Sequence, residues 1–170
     1  LSIYDLKKKS IRALSDGARF KDPSVSPNGK QVVFTVNSKA SNSIAVADLI
    51  SKGSKWKLGP ARIVFHAKPY GSAANAKFSP DGQHVVFSWH ADDTKGTALV
   101  RVNVETLASE TILSDEKTNR FPAFGPSGDL YFVSDRTGVD NLYRVRRGVK
   151  SGPAEQITNV TTGVWFPAVA

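Results

Sequence analysis

A four-residue phrase recurs along this chain at similar points of a longer repeat. It reads Ser26-Pro27-Asn28-Gly29, then Ser79-Pro80-Asp81-Gly82 and, in altered form, Gly125-Pro126-Ser127-Gly128. The prolines are 53 and 46 residues apart, which is the length of a unit of four short strands. Because a repeat array copies one structural unit along the chain, this spacing constrains the fold more than any single motif does.

Each phrase has the chemistry of a tight turn between two antiparallel strands. Proline presets φ at the second turn position, Asp or Asn suits the third, and glycine takes the left-handed conformation that closes the hairpin. A β-rich run follows each copy, at residues 31–36, 84–89 and 129–134. No segment has a sustained helical period of apolar residues, so the chain is predicted to be all-β.

The pattern places four strands in each unit. Within a single propeller segment, residues 1–170, blades are predicted at residues 20–66, 74–114 and 120–158, with a Lys/Gly/Ser loop at 51–60 in the first. Residues 1–15 match the last two strands of a blade, and residues 165–170 the first strand of the next. These units favour a β-propeller of about three and a half blades over a β-sandwich, because a sandwich does not explain the repeat.

The third unit carries the fullest family signature. It reads Phe121-Pro122-Ala123-Phe124, then Ser134-Asp135-Arg136, then Asp140-Asn141-Leu142-Tyr143, and ends at Ile157-Thr158. This pattern resembles the WD40-like repeat of TolB-type propellers, whose turn phrase is Ser-Pro-Asp-Gly. The resemblance covers nearly the whole chain. It is specific for fold and not for function, because periplasmic assembly proteins and peptidase gating domains use the same repeat.

The resemblance implies a non-catalytic binding or scaffold module that docks a protein partner at the propeller face, in the periplasm or cell envelope. The alternative is the propeller domain of a prolyl-oligopeptidase-type serine peptidase or other propeller enzyme. Such a domain gates access to a catalytic part outside this chain. Because propellers of this family typically have more blades, we expect the missing ones from the rest of a parent chain or from another chain. The expected location is periplasmic or extracellular.

Motifs for catalysis and cofactor binding are missing from the sequence. It has no Gly-x-Ser-x-Gly elbow, Gly-rich phosphate loop, His-Glu-x-x-His pair or cysteine. His66 and His90 are expected near one face, where a metal or acid–base role competes with ordinary hydrogen bonding. Loops 92–96 and 135–140 carry carboxylates, but turn formation accounts for them without calcium. We therefore predict no catalytic residue, metal or cofactor.

The net charge of +8 is concentrated in the first third of the chain. Residues 1–60 hold eleven Lys and Arg against four Asp and Glu. Lysines at 7–9, 52, 55 and 57 are expected on one outer rim. A solvated rim competes here with an anionic ligand such as a lipid headgroup, polysaccharide or acidic protein. Nucleic acid is not expected, because no aromatic platform is interleaved with the basic residues, and no apolar run reaches the ~18 residues of a transmembrane helix.

The loops that join successive blades gather at one mouth of a propeller channel, and we predict the partner-binding face there. Large amphipathic aromatic and arginine side chains dominate binding energy at interfaces. The candidates of this kind are Tyr70, His90, Arg120, Arg136 and Trp165. Packing of the blade tops is the structural alternative. For Arg136, a side-chain bond between neighbouring blades is the simplest role.

Overall fold

The computed structural model describes residues 1–15, 19–53, 55–148 and 154–168. These residues form fifteen strands and no helix. In chain order the strands are β1 (Ser2–Asp5), β2 (Ser10–Ala13), β3 (Phe20–Val25), β4 (Gln31–Asn37), β5 (Asn42–Lys52), β6 (Lys55–Leu58), β7 (Arg62–Phe65), β8 (Ser72–Phe78), β9 (His84–His90), β10 (Ala98–Asn103), β11 (Ser109–Leu113), β12 (Asn119–Phe124), β13 (Leu130–Ser134), β14 (Asn141–Val145) and β15 (Glu155–Gln156).

Three antiparallel blades follow one another along the chain. Their strand orders are β3-β4-β5-β7, β8-β9-β10-β11 and β12-β13-β14-β15, while β1 pairs with β2 in a separate sheet. The innermost strand of the second blade, β8, packs against β3 on one side and β12 on the other. The protein is therefore an all-β propeller segment of about three and a half blades.

The middle strands of the blades are buried on both faces. Val85 and Phe87 of β9 belong to the apolar cluster shared with the first blade, while Val86 between them packs in the cluster shared with the third. In β4, Val33 faces the second blade and Phe34 faces away from it. Because successive strand residues point to opposite faces, burial on both faces requires uninterrupted apolar runs. Each buried side chain of this size contributes roughly 1.5–3 kcal/mol.

The recurrent phrase closes the first hairpin of each blade. In the first blade the Gly29 N–H donates to the Ser26 carbonyl at 2.9 Å, and Gly29 has a φ of 71°. The Ser26 hydroxyl also donates to Asn28 Oδ1 at 2.8 Å. The third blade keeps the backbone bond, from Gly128 to Gly125 at 2.9 Å, without a hydroxyl at that position. The turn thus depends on the proline and the glycine, and the serine hydroxyl of the first blade adds a second hydrogen bond.

Single backbone contacts join neighbouring blades where each inner strand begins. Asn42 of β5 pairs with Ser72 of β8 in one parallel bridge, and Thr97 pairs with Thr118 in another. The first bridge formally joins the first two blades into one sheet. It is one residue pair, whereas the ladders inside the blades run over several pairs. The blades therefore remain separate sheets in packing terms.

One detail of the strand prediction is wrong, and one stays a prediction. Within the expected loop at 51–60, β5 continues to Lys52 and pairs with β6 as an outer hairpin, because Leu49 and Leu58 bury their side chains on the first blade. In the segment expected as an inner strand, residues 165–168 form no strand, and residues 169–170 lie outside the described part of the chain.

Candidate functional site

Each inner strand carries a bulge at the same point of the repeat. The pairing register shifts between Lys21 and Ser24, between Ala74 and Lys77, and between Arg120 and Ala123. The first bulged residue of each has a left-handed backbone: φ is 54° at Asp22, 58° at Asn75 and 52° at Phe121. Phe166, one repeat later, has a φ of 50°.

A left-handed backbone is uncommon for residues other than glycine, especially for bulky ones, and such residues cluster at functional sites. β-Bulges re-aim side chains and are frequent beside binding sites. Here the four positions with this backbone, three of them bulged, line one cavity of about 280 Å³, which we call the axial pocket. Its lining residues are Asp22, Pro23, Asn75, Lys77, Phe121, Pro122, Phe166 and Pro167. The bulges therefore direct residues of all three blades toward the propeller axis.

One side of the axial pocket is aromatic. The rings of Phe121 and Phe166 lie 4.3 Å apart between centroids, and Trp165 lies 6.1 Å from Phe121. Phe166 and Trp165 keep 71% and 58% of their surface exposed. The opposite side is polar, with Asp22, Asn75 and Lys77. The pocket therefore offers an apolar contact beside hydrogen-bonding groups.

An arginine holds this aromatic group in place. The Arg120 guanidinium carbon lies 5.2 Å from the centroid of the Trp165 ring, a cation–π distance. Its Nη2 donates to both carboxylate oxygens of Asp140, at 2.9 and 2.8 Å. The Val164 N–H donates to the Asp140 carbonyl at 2.9 Å, which ties the segment before Trp165 to the third blade. The buried Arg120 Nε has no hydrogen-bond partner in the described part of the chain.

The structure brings together two of the five predicted site residues, Arg120 and Trp165. Arg136 instead points into the boundary between the second and third blades. Its guanidinium donates to Asn119 Oδ1 at 2.9 Å, to Ser134 Oγ at 3.1 Å and to Asp115 Oδ2 at 3.3 Å. The group also lies 4.7 Å from the centroid of the Tyr143 ring.

The neighbouring Asp135 completes this interblade network. Partial burial raises the pKa of the Asp135 carboxyl, but hydrogen bonds from the backbone and hydroxyl of Thr118 outweigh it and hold the pKa below its ordinary value. The Thr118 N–H donates to Asp135 Oδ1 at 2.9 Å. The Asp-Arg dipeptide thus occupies the blade boundary, and Arg136 does not line the axial pocket.

Tyr70 lies in the loop between β7 and β8, and His90 ends β9; neither residue lines the axial pocket. Tyr70 is 75% exposed, with a φ of 62°, and its N–H donates to the Ala40 carbonyl at 2.6 Å. His90 Nδ1 lies 2.9 Å from the Gly96 carbonyl oxygen. Their role in partner binding stays a prediction, as it does for the other three residues.

Sequence reasoning missed the four residues with a left-handed backbone as a set. A signal for three of them was present, because Asp22, Phe121 and Phe166 each precede a proline. Proline disfavours helical backbone in the residue before it, but it does not predict a positive φ there. The fourth, Asn75, precedes Ala76, so alignment of the repeats is the signal that would have found it.

Within the described ranges, no three His, Asp or Glu side chains are grouped closely enough to hold a metal ion. The same ranges hold no helix with the length and apolarity needed to cross a bilayer.

No protein-family model matches the chain. Among solved structures it is similar to puromycin hydrolase, with 21% identity and a TM-score of 0.70 over 92% of this chain and 24% of that chain. It is similar to TolB from Acinetobacter baumannii, with 18% identity and a TM-score of 0.67 over 95% of this chain and 38% of that one. It is also similar to the β-propeller domain of the Trilobed protease from Pyrococcus furiosus, with 17% identity and a TM-score of 0.60 over 87% of this chain and 45% of that chain.

These likenesses show a TolB-like β-propeller fold, in agreement with the repeat. The chain spans less than half of each of these proteins. TolB, puromycin hydrolase and the propeller domain of a protease therefore share the fold of this segment.

Proposed function

We propose that this propeller segment is a non-catalytic module that binds a protein partner at the axial pocket and the aromatic residues beside it. The observation that carries the proposal is the convergence on one pocket of four equivalent residues with a left-handed backbone, three of them in β-bulges. The positive φ recurs at Asp22 and Asn75, so it belongs to the repeat and not to the aromatic side chains. A bulky residue is rare at such a position, and a binding face in which aromatic rings project toward the axis accounts for Phe121 and Phe166 there.

The size and chemistry of the axial pocket favour a peptide segment as the occupant. A volume of about 280 Å³ lies at the lower end for a small-molecule site and suits one or two side chains. Exposed Trp165 and Phe166, with Arg120 beside them, are the residue types that anchor protein interfaces. We infer that an apolar or aromatic side chain of the partner stacks on Phe121 and Phe166 while Asn75 and Lys77 bind its backbone.

We place this activity in the periplasm or outside the cell, as the TolB-type repeat implies. Blades from the remainder of a longer chain, or from another chain, complete the ring in this proposal.

Peptides selected by phage display on the chain provide the test, with affinity measured by calorimetry. The double variant Phe121→Ala/Trp165→Ala should raise Kd of axis-binding peptides at least about tenfold, because it removes two candidate anchors. The matched control is Leu107→Ala/Ile157→Ala, which removes apolar side chains of 47% and 42% exposure elsewhere. A separate Tyr70→Ala variant measures whether the second blade contributes.

Two outcomes contradict the proposal. Selected peptides that bind the double variant and the wild type equally place the binding face elsewhere. A collapse of the melting temperature in the double variant, with unchanged affinity per folded molecule, makes these residues packing elements.

The second candidate is a gating propeller of a peptidase, proposed because puromycin hydrolase shares the fold. In a parent chain with a hydrolase domain, the same double variant would change kcat/KM for long peptides relative to dipeptides. An equal effect on both substrates would count against gating.

A further inference from the structure

We propose that the basic outer rim of the first third of the chain binds the surface of an anionic lipid bilayer. This rim consists of the β1–β2 turn and the β5–β6 hairpin, which we call the lysine rim. It is separate from the axial pocket and shares no lining residue with it. Residues of both hairpins line a common cavity of about 570 Å³, including Leu6, Lys7, Gly53 and Trp56.

The β1–β2 turn presents three consecutive lysines in a fixed conformation. The Asp5 carboxylate accepts the backbone N–H groups of Lys7 and Lys8, both at 3.0 Å. Lys9 has a φ of 48°. Leu6 directly precedes them and is 82% exposed. An apolar tip followed by three cations is therefore built into the turn itself.

The β5–β6 hairpin repeats this chemistry. Lys52 pairs directly with Lys55, and Ile50 pairs directly with Lys57. Because side chains alternate along a strand, these four residues share one face. Ile50 is 44% exposed on it. Like charges directly opposite each other destabilise a sheet, so the lysine face lowers the stability of the hairpin unless an anion lies against it.

Positive charge exceeds negative charge on the lysine rim, where Asp5 is set against six lysines. In the described part of the chain, none of the ion pairs involves its six lysines, which are all exposed: Lys7, Lys8, Lys9, Lys52, Lys55 and Lys57. By contrast, several arginines of the third blade are paired with acidic residues. The two hairpins thus leave an excess of positive charge in the first third of the chain.

The apolar residues decide between a bilayer and a soluble polyanion. A polysaccharide or acidic protein segment gains its attraction from the lysines, and exposed Leu6 and Ile50 add little to it. A bilayer binds both kinds of side chain, because apolar side chains insert at the acyl boundary while lysines lie among the headgroups. Lysine is a flexible point charge without the fixed fork of arginine, which suits headgroups that move.

The β1–β2 turn makes the proposed contact, and the faces of the two strands take no part in it. Tyr4 and Ile11 are exposed on those faces, where another blade would cover them. Leu6 and the three lysines lie in the turn, beyond the strand pairing. A blade packed on β1–β2 would leave the turn available to a membrane.

Co-sedimentation with vesicles tests the proposal. The whole chain is mixed with vesicles of phosphatidylcholine alone or with phosphatidylglycerol added. We expect binding to the anionic vesicles that weakens with salt. The variant Lys7→Gln/Lys8→Gln/Lys9→Gln should lower the partition coefficient on the order of 100-fold. The control Lys39→Gln/Lys68→Gln/Lys95→Gln removes the same charge from exposed positions outside the lysine rim, and we expect a change below about threefold.

Leu6→Gln separates the bilayer from a soluble polyanion. It should lower vesicle binding about threefold or more and leave binding to dextran sulfate unchanged. The proposal is overturned if neutral and anionic vesicles bind alike, if the control triple variant loses as much as the rim variant, or if Leu6→Gln has no effect on vesicle binding. Circular dichroism of each variant checks that the fold is intact.

Discussion

The boundary between the first and second blades and the boundary between the second and third both hold an apolar cluster, but they differ in chemistry at one pair of equivalent positions. Just before its bulge, β8 places Ala73 opposite Trp89, and β12 places Asn119 opposite Ser134 at the equivalent positions. At the first boundary Trp89 packs edge-on against Phe65, with ring centroids 5.1 Å apart. At the second, Asn119 is fully buried and bonded to Arg136, Asp115 and the Thr97 carbonyl.

The propeller architecture determines which positions are buried, but not whether polar or apolar side chains fill them. An apolar side chain fills such a position when its volume and shape match the space. A polar network needs every donor and acceptor matched, because an unpaired buried polar group costs about 1–3 kcal/mol. The two boundaries should therefore respond differently to the same kind of substitution.

The largest effect is expected at the apolar boundary. Trp89→Ala should lower the free energy of unfolding by about 3 kcal/mol, because the indole fills the space between Phe65 and Gly71. Urea unfolding measures it. Trp165→Ala is the matched control, since this tryptophan is exposed on the axial face, and its effect should stay below about 1 kcal/mol. Equal losses of unfolding free energy in the two variants would mean that Trp89 does not fill a space between the blades.

At the polar boundary, Arg136→Ala should cost about 2 kcal/mol, because it leaves the buried Asn119 oxygen without its donor. In a double-mutant cycle with Asn119→Ala, the coupling energy should reach about 1 kcal/mol. The control cycle, Arg146→Ala with Glu155→Ala, removes an exposed ion pair, and its coupling should stay below about 0.5 kcal/mol. Additive losses at Arg136 and Asn119 would contradict a shared network.

Two asparagines near the blade bridges sharpen the contrast further. Asn42 Nδ2 donates to Ser72 Oγ at 3.0 Å from a half-buried position at the first boundary. Asn42→Ala should cost about 0.5–1 kcal/mol, whereas Asn119→Ala at the second boundary should cost about 2 kcal/mol. Thermal unfolding of both variants gives the ranking, and a reversed order would refute the assignment of the polar core to the second boundary.

The smallest expected effect is a pH dependence of stability that the turn of the second blade has and the turn of the first blade lacks. Hydrogen bonds from the Ser79 hydroxyl and the Gln83 N–H hold the pKa of the Asp81 carboxyl below its ordinary value of 3.8. This stabilisation is present above that value and is lost as the pH falls through the folded-state pKa.

The first turn serves as a natural reference, because uncharged Asn28 makes the same bonds, to Ser26 Oγ and to the Lys30 N–H. Unfolding measured between about pH 5 and pH 2 should show a slightly smaller loss of stability for Asp81→Asn than for the wild type. If the stability of the two proteins falls equally with pH, the Asp81 carboxylate does not stabilise the turn.

The turns and the burial of the middle strands were predictable because their causes are local. Pro-x-Gly closes the hairpin within a few residues, and an apolar run such as Val85-Val86-Phe87 requires cover on both sides wherever it lies. The repeat motif Asp140-Asn141-Leu142-Tyr143 leads directly into the third strand of the third blade, which runs from Asn141 to Val145. The outer β5–β6 hairpin was predicted as a loop because its lysines, glycine and serine look polar, although Leu49 and Leu58 bury its base on the first blade.

The sequence by itself determined the repeat, the all-β class and the positions of the first hairpins, since these follow from turn chemistry and from a period of two. The tertiary structure decided what lies around the axis. A bulge places Phe121 in the left-handed backbone that Phe166 also adopts, Arg120 reaches Trp165 in the segment after β15, and Arg136 turns inward to Asn119. These contacts join residues of different strands and blades, and their geometry depends on strand register and blade packing, which no local pattern encodes.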